Sequence, residues 1–350
     1  MKNRLVIGIT HGDVNGISYE VILKTLLDNR IYEVCTPVLY GSAKVAAYHR
    51  KALNLPNQTL VAIKSADEAI HRKAYLVNCI NDEIRVELGK STPMAGESSL
   101  AALQRAIADV KEGKLDAIVT GPIDKHNIQS ATFDFPGHTE YLSSQFNSSE
   151  VLMLMVSEAM KVGVVTGHIP LKDVAARITP ELILEKLRIM NKTLMEDFMI
   201  RKPRIAVLSL NPHAGDNGLL GSEEEQVIHP ALKNAREKGI LAFGPFPADG
   251  FFGAGSFAKF DGILAMYHDQ GLVPFKALSY ESGVNYTAGL PVVRTSPAHG
   301  TAYEIAGKNE ASESSFRNAL YMACDICKNR AEFSELVSNP LKSVDPASLQ

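Results

Sequence analysis

Three histidines in this chain each follow a short β-branched run: "VGVVTGH" ends at His168, "IAVLSLNPH" at His213 and "GILAMYH" at His268. Imidazole nitrogens bind divalent metals, and three of them brought together would hold an ion with a coordination position left for substrate. The spacing is not that of a zinc motif, so unrelated loop or core histidines are the competing reading. Their company favours a site. His213 sits in the polar loop "NPHAGDNG", and Asp269, beside His268 in "YHDQG", stands where a carboxylate could orient a metal-bound ring.

A second group suits an anion. "FPGHTEYL" sets Gly137, His138 and Thr139 ahead of a helix-compatible stretch, where free backbone N–H groups attract phosphate or carboxylate; alternatively Thr139 is a plain N-cap. "PFKALSYESGVNYTAGLPVVRTS" brings Lys276, Asn285 and Arg294 towards one region, as a point charge, a neutral amide and a planar fork. A solvated charged face is the plain alternative, and it suits Arg294 least, because that residue ends an apolar strand. Beyond it, "RTSPAHGTAYEIAGKN" turns a His-Gly-Thr-Ala corner from strand into helix-compatible sequence.

Two nucleotide motifs fail on context. "GAGSFA" (253–258) matches G-x-G-x-x-A, but Pro245, Pro247 and Gly250 occupy the place of the strand that should precede it. "GITHGDVNGIS" reads as strand, glycine loop and helix without the dinucleotide fingerprint, and no P-loop sequence occurs. Cys324 and Cys327 form a CxxC within "SFRNALYMACDIC"; helical spacing makes packing the favoured reading over a redox or metal pair.

The elements that must position these residues alternate. Strand-like runs at 4–10, 37–41, 74–80, 115–121, 151–156, 162–167, 204–210, 261–267 and 290–296 are separated by helical patterns. Leu100, Leu103, Ile107 and Val110 recur at helical spacing and stop before Gly113; Thr179-Pro180 reads as an N-cap and first turn, and Ser222 with Glu225 has the capping-box spacing. Such alternation predicts an α/β protein with a mostly parallel sheet, arranged as two lobes, and ligands beyond the carboxyl ends of its strands. With 350 residues, 45% of them hydrophobic, the chain can bury a large core. A net charge of -3 gives nucleic acid no electrostatic footprint, and the absence of any eighteen-residue apolar run argues against a membrane span. The expectation is a cytoplasmic enzyme of small molecules.

Taken together, "TGPIDKH", "FPGHTEYL", "LNPHAGDNG", "GPFPAD", "YHDQGL", "GVNYTAGLP" and "RTSPAHGTAYEIAGK" strongly resemble the 4-hydroxythreonine-4-phosphate dehydrogenases of pyridoxal 5'-phosphate biosynthesis, in order and over nearly the whole chain. The resemblance implies the two-lobed isocitrate/isopropylmalate dehydrogenase-like fold with a cleft between lobes. Residues 1–135 with 300–350 would form the cofactor-side lobe, and 136–299 the substrate, metal and dimerisation lobe. It implies NAD contacts at His299, Gly300, Thr301 and Ala302, and one divalent metal (Zn, Mg or Co) on His168, His213 and His268. Substrate contacts would fall on His138, Thr139, Lys276, Asn285 and Arg294, with Lys276, Asp249 or a metal-bound water as proton acceptor. It further implies a homodimer whose second subunit supplies the histidine at 268. The implied reaction is NAD-dependent oxidation of 4-phosphooxy-L-threonine, followed by decarboxylation to 3-amino-2-oxopropyl phosphate. Two stretches depart from the family pattern: "THGDVNG" lacks the usual Pro-Gly pair, leaving the role of His11 open, and "VPFKALSYES" differs while keeping Lys276. Rival readings are a D-threonate or D-erythronate 4-phosphate dehydrogenase, a phosphate acyltransferase and a non-catalytic sensor of phosphorylated metabolites.

Overall fold

Twelve short strands hydrogen-bond into one sheet. The computed structural model describes residues 4–338 except 58, 71, 72, 82, 131 and 132. In chain order the strands are β1 (Leu5–Thr10), β2 (Cys35–Gly41), β3 (Leu60–Ile63), β4 (Ala74–Asn78), β5 (Ala117–Thr120) and β6 (Leu152–Val156). There follow β7 (Lys161–Thr166), β8 (Arg204–Leu208), β9 (Leu241–Phe246), β10 (Gly262–Tyr267), β11 (Val284–Ala288) and β12 (Val293–Pro297). Their order across the sheet is β3-β4-β2-β1-β5-β12-β11-β6-β7-β10-β8-β9.

Two parallel blocks result. From β3 to β12 all neighbours are parallel, and so are those from β7 to β9. Between the blocks β11 runs antiparallel to both β12 and β6, and β6 antiparallel to β7. Three reversals make the two blocks run in opposite directions, so strand ends of different blocks approach a common cleft over the central strands. Both faces of the parallel blocks carry helices, which is why strands such as β2 and β5 are buried along their whole length.

The helices follow local chemistry. Thr179 caps Pro180–Glu196 by accepting from the Leu182 N–H at 3.2 Å, and Thr92 caps Pro93–Lys111 in the same way; each helix starts with proline, whose missing N–H costs nothing there. On Pro93–Lys111, Leu103, Ala106, Ile107 and Val110 turn inward, each large side chain contributing about 1.5–3 kcal/mol by leaving water. Ser222 and Glu225 form no capping box: a π-helical turn, Glu224–Ile228, intervenes, and the Glu225 carboxylate lies 3.7 Å from His229. The CxxC is packing. On the helix Ser314–Ser338, Phe316, Ala319, Leu320, Ala323 and Cys324 form the buried face, while burial pushes the Cys327 thiol up to about 12. No helix among the described residues is long and apolar enough to cross a membrane.

Candidate active site

The cleft floor is the face of β6, β11 and β12. Its walls are the loops after β5 and β12 on one side, and the ends of β7 and β10 on the other, enclosing a cavity of about 250 Å³. Sequence-predicted residues meet here from several elements: His138 and Thr139, Asn285, Arg294, Lys276, His168 with His268, and His299 with Gly300.

Arg294 lies deepest. Only 2% exposed, it donates from Nε and Nη2 to Thr120 Oγ1 (3.1 and 2.6 Å) and from Nη1 to Thr287 Oγ1 (3.1 Å). These acceptors are neutral, and no ion pair among the described residues includes it. Burial lowers its pKa to about 10, with the Glu140 charge acting the other way. A buried guanidinium without a counter-ion is costly, so the geometry invites an anion. His138 stands in the same cleft, held well below its ordinary pKa by burial and then by the Arg294 and Lys125 charges; as a neutral ring it offers one N–H. Thr139 Oγ1 is 3.4 Å from Thr287 Oγ1, beside the guanidinium.

The histidine pair comes next. The His168 and His268 rings lie 5.7 Å apart, because β7 and β10 are parallel neighbours with Tyr267 opposite Thr166, and each histidine follows just beyond its strand. Each ring has a carboxylate at Nδ1: Glu140 Oε1 at 3.4 Å from His168, Asp269 Oδ1 at 2.7 Å from His268. That arrangement keeps the ring proton on Nδ1 and leaves Nε2 as a lone pair, the tautomer a metal requires. The two residues therefore fit one half of a metal site. Lys125 Nζ now stands 3.4 Å from His168 Nε2.

His213 is elsewhere. It is exposed, and with Ala214, Gly215, Asp216 and Asn217 it forms a left-handed turn with φ of 53, 53, 79, 43 and 54°. The turn departs from an anchored base: the Glu224 carboxylate accepts from Leu210 N, Asn211 N and Asn211 Nδ2 at 2.8–3.0 Å. No three His, Cys, Asp or Glu side chains among the described residues group as a metal site within one chain. Within one chain His268 lies beside His168, and His213 lies apart from both, outside the cleft.

The remaining candidates divide. His299 and Gly300 line the cleft; His299 Nδ1 is 3.0 Å from the Gly300 carbonyl, while its Nε2 is buried without a partner among the described residues. An added Cβ on Gly300 would meet only open space. Both facts fit a further group lying at this corner. Thr301 instead turns its carbonyl to the Ile17 N–H (3.0 Å), and Ala302 takes φ 44° to turn the corner. The Asn285 Oδ1 is buried with no hydrogen-bond partner among the described residues. Asp249 is exposed on the short helix Ala248–Gly253, outside the cleft. His11 is buried and stacks on Tyr19 with centroids 5.4 Å apart, a packing role.

Sequence reasoning missed Lys125, Glu140, Thr120 and Thr287. All four lay inside quoted motifs: Thr120 and Lys125 in "TGPIDKH", Glu140 in "FPGHTEYL" and Thr287 in "GVNYTAGLP"; the pattern marked the segments, but only β5–β12–β11 adjacency brings the two threonines to Arg294. A larger open depression of about 790 Å³ near Arg330 lacks comparable chemistry, because Arg330 already pairs with Asp197 at 2.6 Å.

Comparison with known proteins shows the family. The family model described as pyridoxal phosphate biosynthetic protein PdxA matches residues 33–323. The chain is 56% identical over 342 residues to a 4-hydroxythreonine-4-phosphate dehydrogenase of Bacteroides thetaiotaomicron, covering 97% of this chain and 94% of that one. It is 39% identical to a D-threonate 4-phosphate dehydrogenase of Cupriavidus necator, covering 93% and 98%. It also superposes with a TM-score of 0.82 on the crystal structure of a 4-hydroxythreonine-4-phosphate dehydrogenase from Klebsiella pneumoniae, at 32% identity and coverages of 93% and 98%.

Proposed function

The chain belongs to the pyridoxal phosphate biosynthetic protein PdxA family, and on that premise we propose that it oxidises the C3 hydroxyl of 4-phosphooxy-L-threonine with NAD and a divalent metal. The product, 2-amino-3-oxo-4-phosphooxybutanoate, is a β-keto acid and loses carbon dioxide to give 3-amino-2-oxopropyl phosphate. The single observation that carries this reading is the buried Arg294 guanidinium, hydrogen-bonded only to threonine hydroxyls, in a cleft that also holds a carboxylate-oriented histidine pair. A phosphate monoester supplies the missing negative charge.

Each residue then has a task. Arg294, the neutral His138 N–H and the Thr139 hydroxyl hold the phosphate, and Asn285 Oδ1 accepts a donor from the substrate. His168 and His268 would hold the metal through Nε2, with His213 arriving from a second copy of the chain; Leu219, Leu220, Leu241 and Phe243, exposed near that turn and on the edge strand β9, support such a homodimer. A divalent ion held there would supply Lewis acidity for the hydroxyl and the ketone, and NAD would supply the hydride acceptor. His299 and Gly300 flank the cofactor, and Thr301 and Ala302 shape the corner that presents them. Lys276 lines the cleft and is the candidate acceptor of the hydroxyl proton that stays in place, Asp249 being outside it.

The deciding experiment is NADH formation by the purified protein with 4-phosphooxy-L-threonine, D-threonate 4-phosphate and D-erythronate 4-phosphate, with divalent metal and then with chelator. Turnover of the amino acid, abolished by chelator, is the expected result. A preference for D-threonate 4-phosphate, which the 39% identical relative keeps open, moves the protein to another pathway with the same mechanism.

A further inference from the structure

We propose that Glu140 and Lys125 form a zwitterion clamp for the head group of an α-amino acid, Glu140 taking the ammonium and Lys125 the carboxylate; this rests on the dehydrogenase reading above. The other ionisable side chains lining the cleft are Arg294, Lys276, Lys125 and histidines. A substrate bearing only phosphate and carboxylate would match such a lining without any acid. Glu140 nevertheless faces it, two residues after His138 on the helix His138–Gln145.

Only half of that carboxylate is used. Oε1 lies 3.4 Å from His168 Nδ1, whereas Oε2 is buried with no partner among the described residues. An unmatched buried carboxylate oxygen costs free energy unless a donor arrives, and an ammonium supplies both hydrogen and charge. Lys125 is likewise without a carboxylate partner among the described ion pairs, its nearest contact being His168 Nε2 at 3.4 Å. Gly137 keeps the space between them open. A Cβ built there would sit 3.5 Å from Glu140 Oε2, 3.7 Å from Lys125 Cε and 4.0 Å from Lys125 Nζ, so acid and lysine flank one glycine-sized gap. The ammonium and carboxylate of 4-phosphooxy-L-threonine sit on adjacent carbons, which suits two opposite charges across one small gap.

The test crosses enzyme with substrate. Metal-loaded wild type and Glu140→Gln are each assayed with NAD on 4-phosphooxy-L-threonine and on 3-hydroxy-4-phosphooxybutanoate, which keeps hydroxyl, carboxylate and phosphate but lacks the amine. In wild type, removal of the amine should lower kcat/KM at least about tenfold, mainly through KM; in Glu140→Gln it should cost less than about threefold. Any damage to His168 falls on both substrates and cancels in the ratio. An equal amine effect in both proteins overturns the clamp and leaves the dehydrogenase reading intact, while failure of wild type to oxidise either compound overturns both. Should Glu140→Gln not fold, an amine effect below about threefold in wild type is enough to overturn the proposal.

Discussion

His168 and His268 face one another from adjoining parallel strands with ring centroids 5.7 Å apart, each with a carboxylate at its Nδ1. His213, the third strand-end histidine of the sequence, stands apart from this pair on an exposed left-handed turn outside the cleft.

That division gives a complementation test. His213→Ala and His268→Ala should each lose metal and most activity as separate proteins. Mixed and allowed to exchange subunits, they should regain activity, because a mixed dimer holds one site with His168 and His268 from one copy and His213 from the other. No recovery, with subunit exchange verified by mass spectrometry, would place all three ligands within one chain.

Asp269 orients the His268 ring from 2.7 Å. Asp269→Asn should weaken metal affinity by about 10–100-fold, the usual cost of losing a carboxylate behind a ligating histidine, with little change in thermal stability of the metal-free protein. Metal titration by calorimetry reads the first quantity directly.

Arg294 sets stability against function. Its buried charge meets only threonine hydroxyls, so Arg294→Met should leave the ligand-free protein as stable or more stable, while raising the substrate KM on the order of a hundredfold. NAD affinity should hardly move. Inorganic phosphate should raise Tm in wild type only; an equal rise in Arg294→Met would remove Arg294 from the phosphate site.

Glu224 is the anchor of the His213 turn. Removing its carboxylate leaves the part-buried Leu210 and Asn211 backbone N–H groups unpaired, while Asn211 Nδ2 keeps Glu223 Oε2 at 2.7 Å, and Glu224→Ala should destabilise by about 1–3 kcal/mol and loosen metal binding together. Urea denaturation combined with metal titration checks both; unchanged metal affinity would detach the anchor from the site.

Acid should unfold the first block early. Burial holds His11 and His49 down to about 4, against 6.5 in an unfolded chain. The unfolded state therefore takes up these protons first: stability is whole above pH 6.5 and falls as pH drops towards 4, by up to about 1.4 kcal/mol per pH unit for each ring. His49→Gln, which can still donate to the Val14 carbonyl that His49 Nε2 meets at 2.8 Å, should flatten the decline in urea midpoint between pH 7 and 5. The same slope in both proteins would rule out His49 as a source.

The alternation of strands and helices, the carboxyl-end position of His168 and His268, and the motifs of the anion site were all legible in the sequence, because each depends on residues a few positions apart. The strands that escaped notice show where local pattern fails. β3 and β9 are the two edges of the sheet, and β9 contains Pro245, tolerable only where no ladder partner needs its N–H. β11 carries Asn285 and Thr287 on its cleft side, polar residues that break an apolar run for the sake of the site. Tertiary structure alone decided which histidines meet, since strand adjacency comes from long-range pairing: β10 inserts between β7 and β8, and a left-handed turn carries His213 away. It likewise decided that Arg294 is buried without a counter-ion and that Glu140 keeps one oxygen free. Charge type is written in the chain, but burial and partnership exist only once distant segments pack.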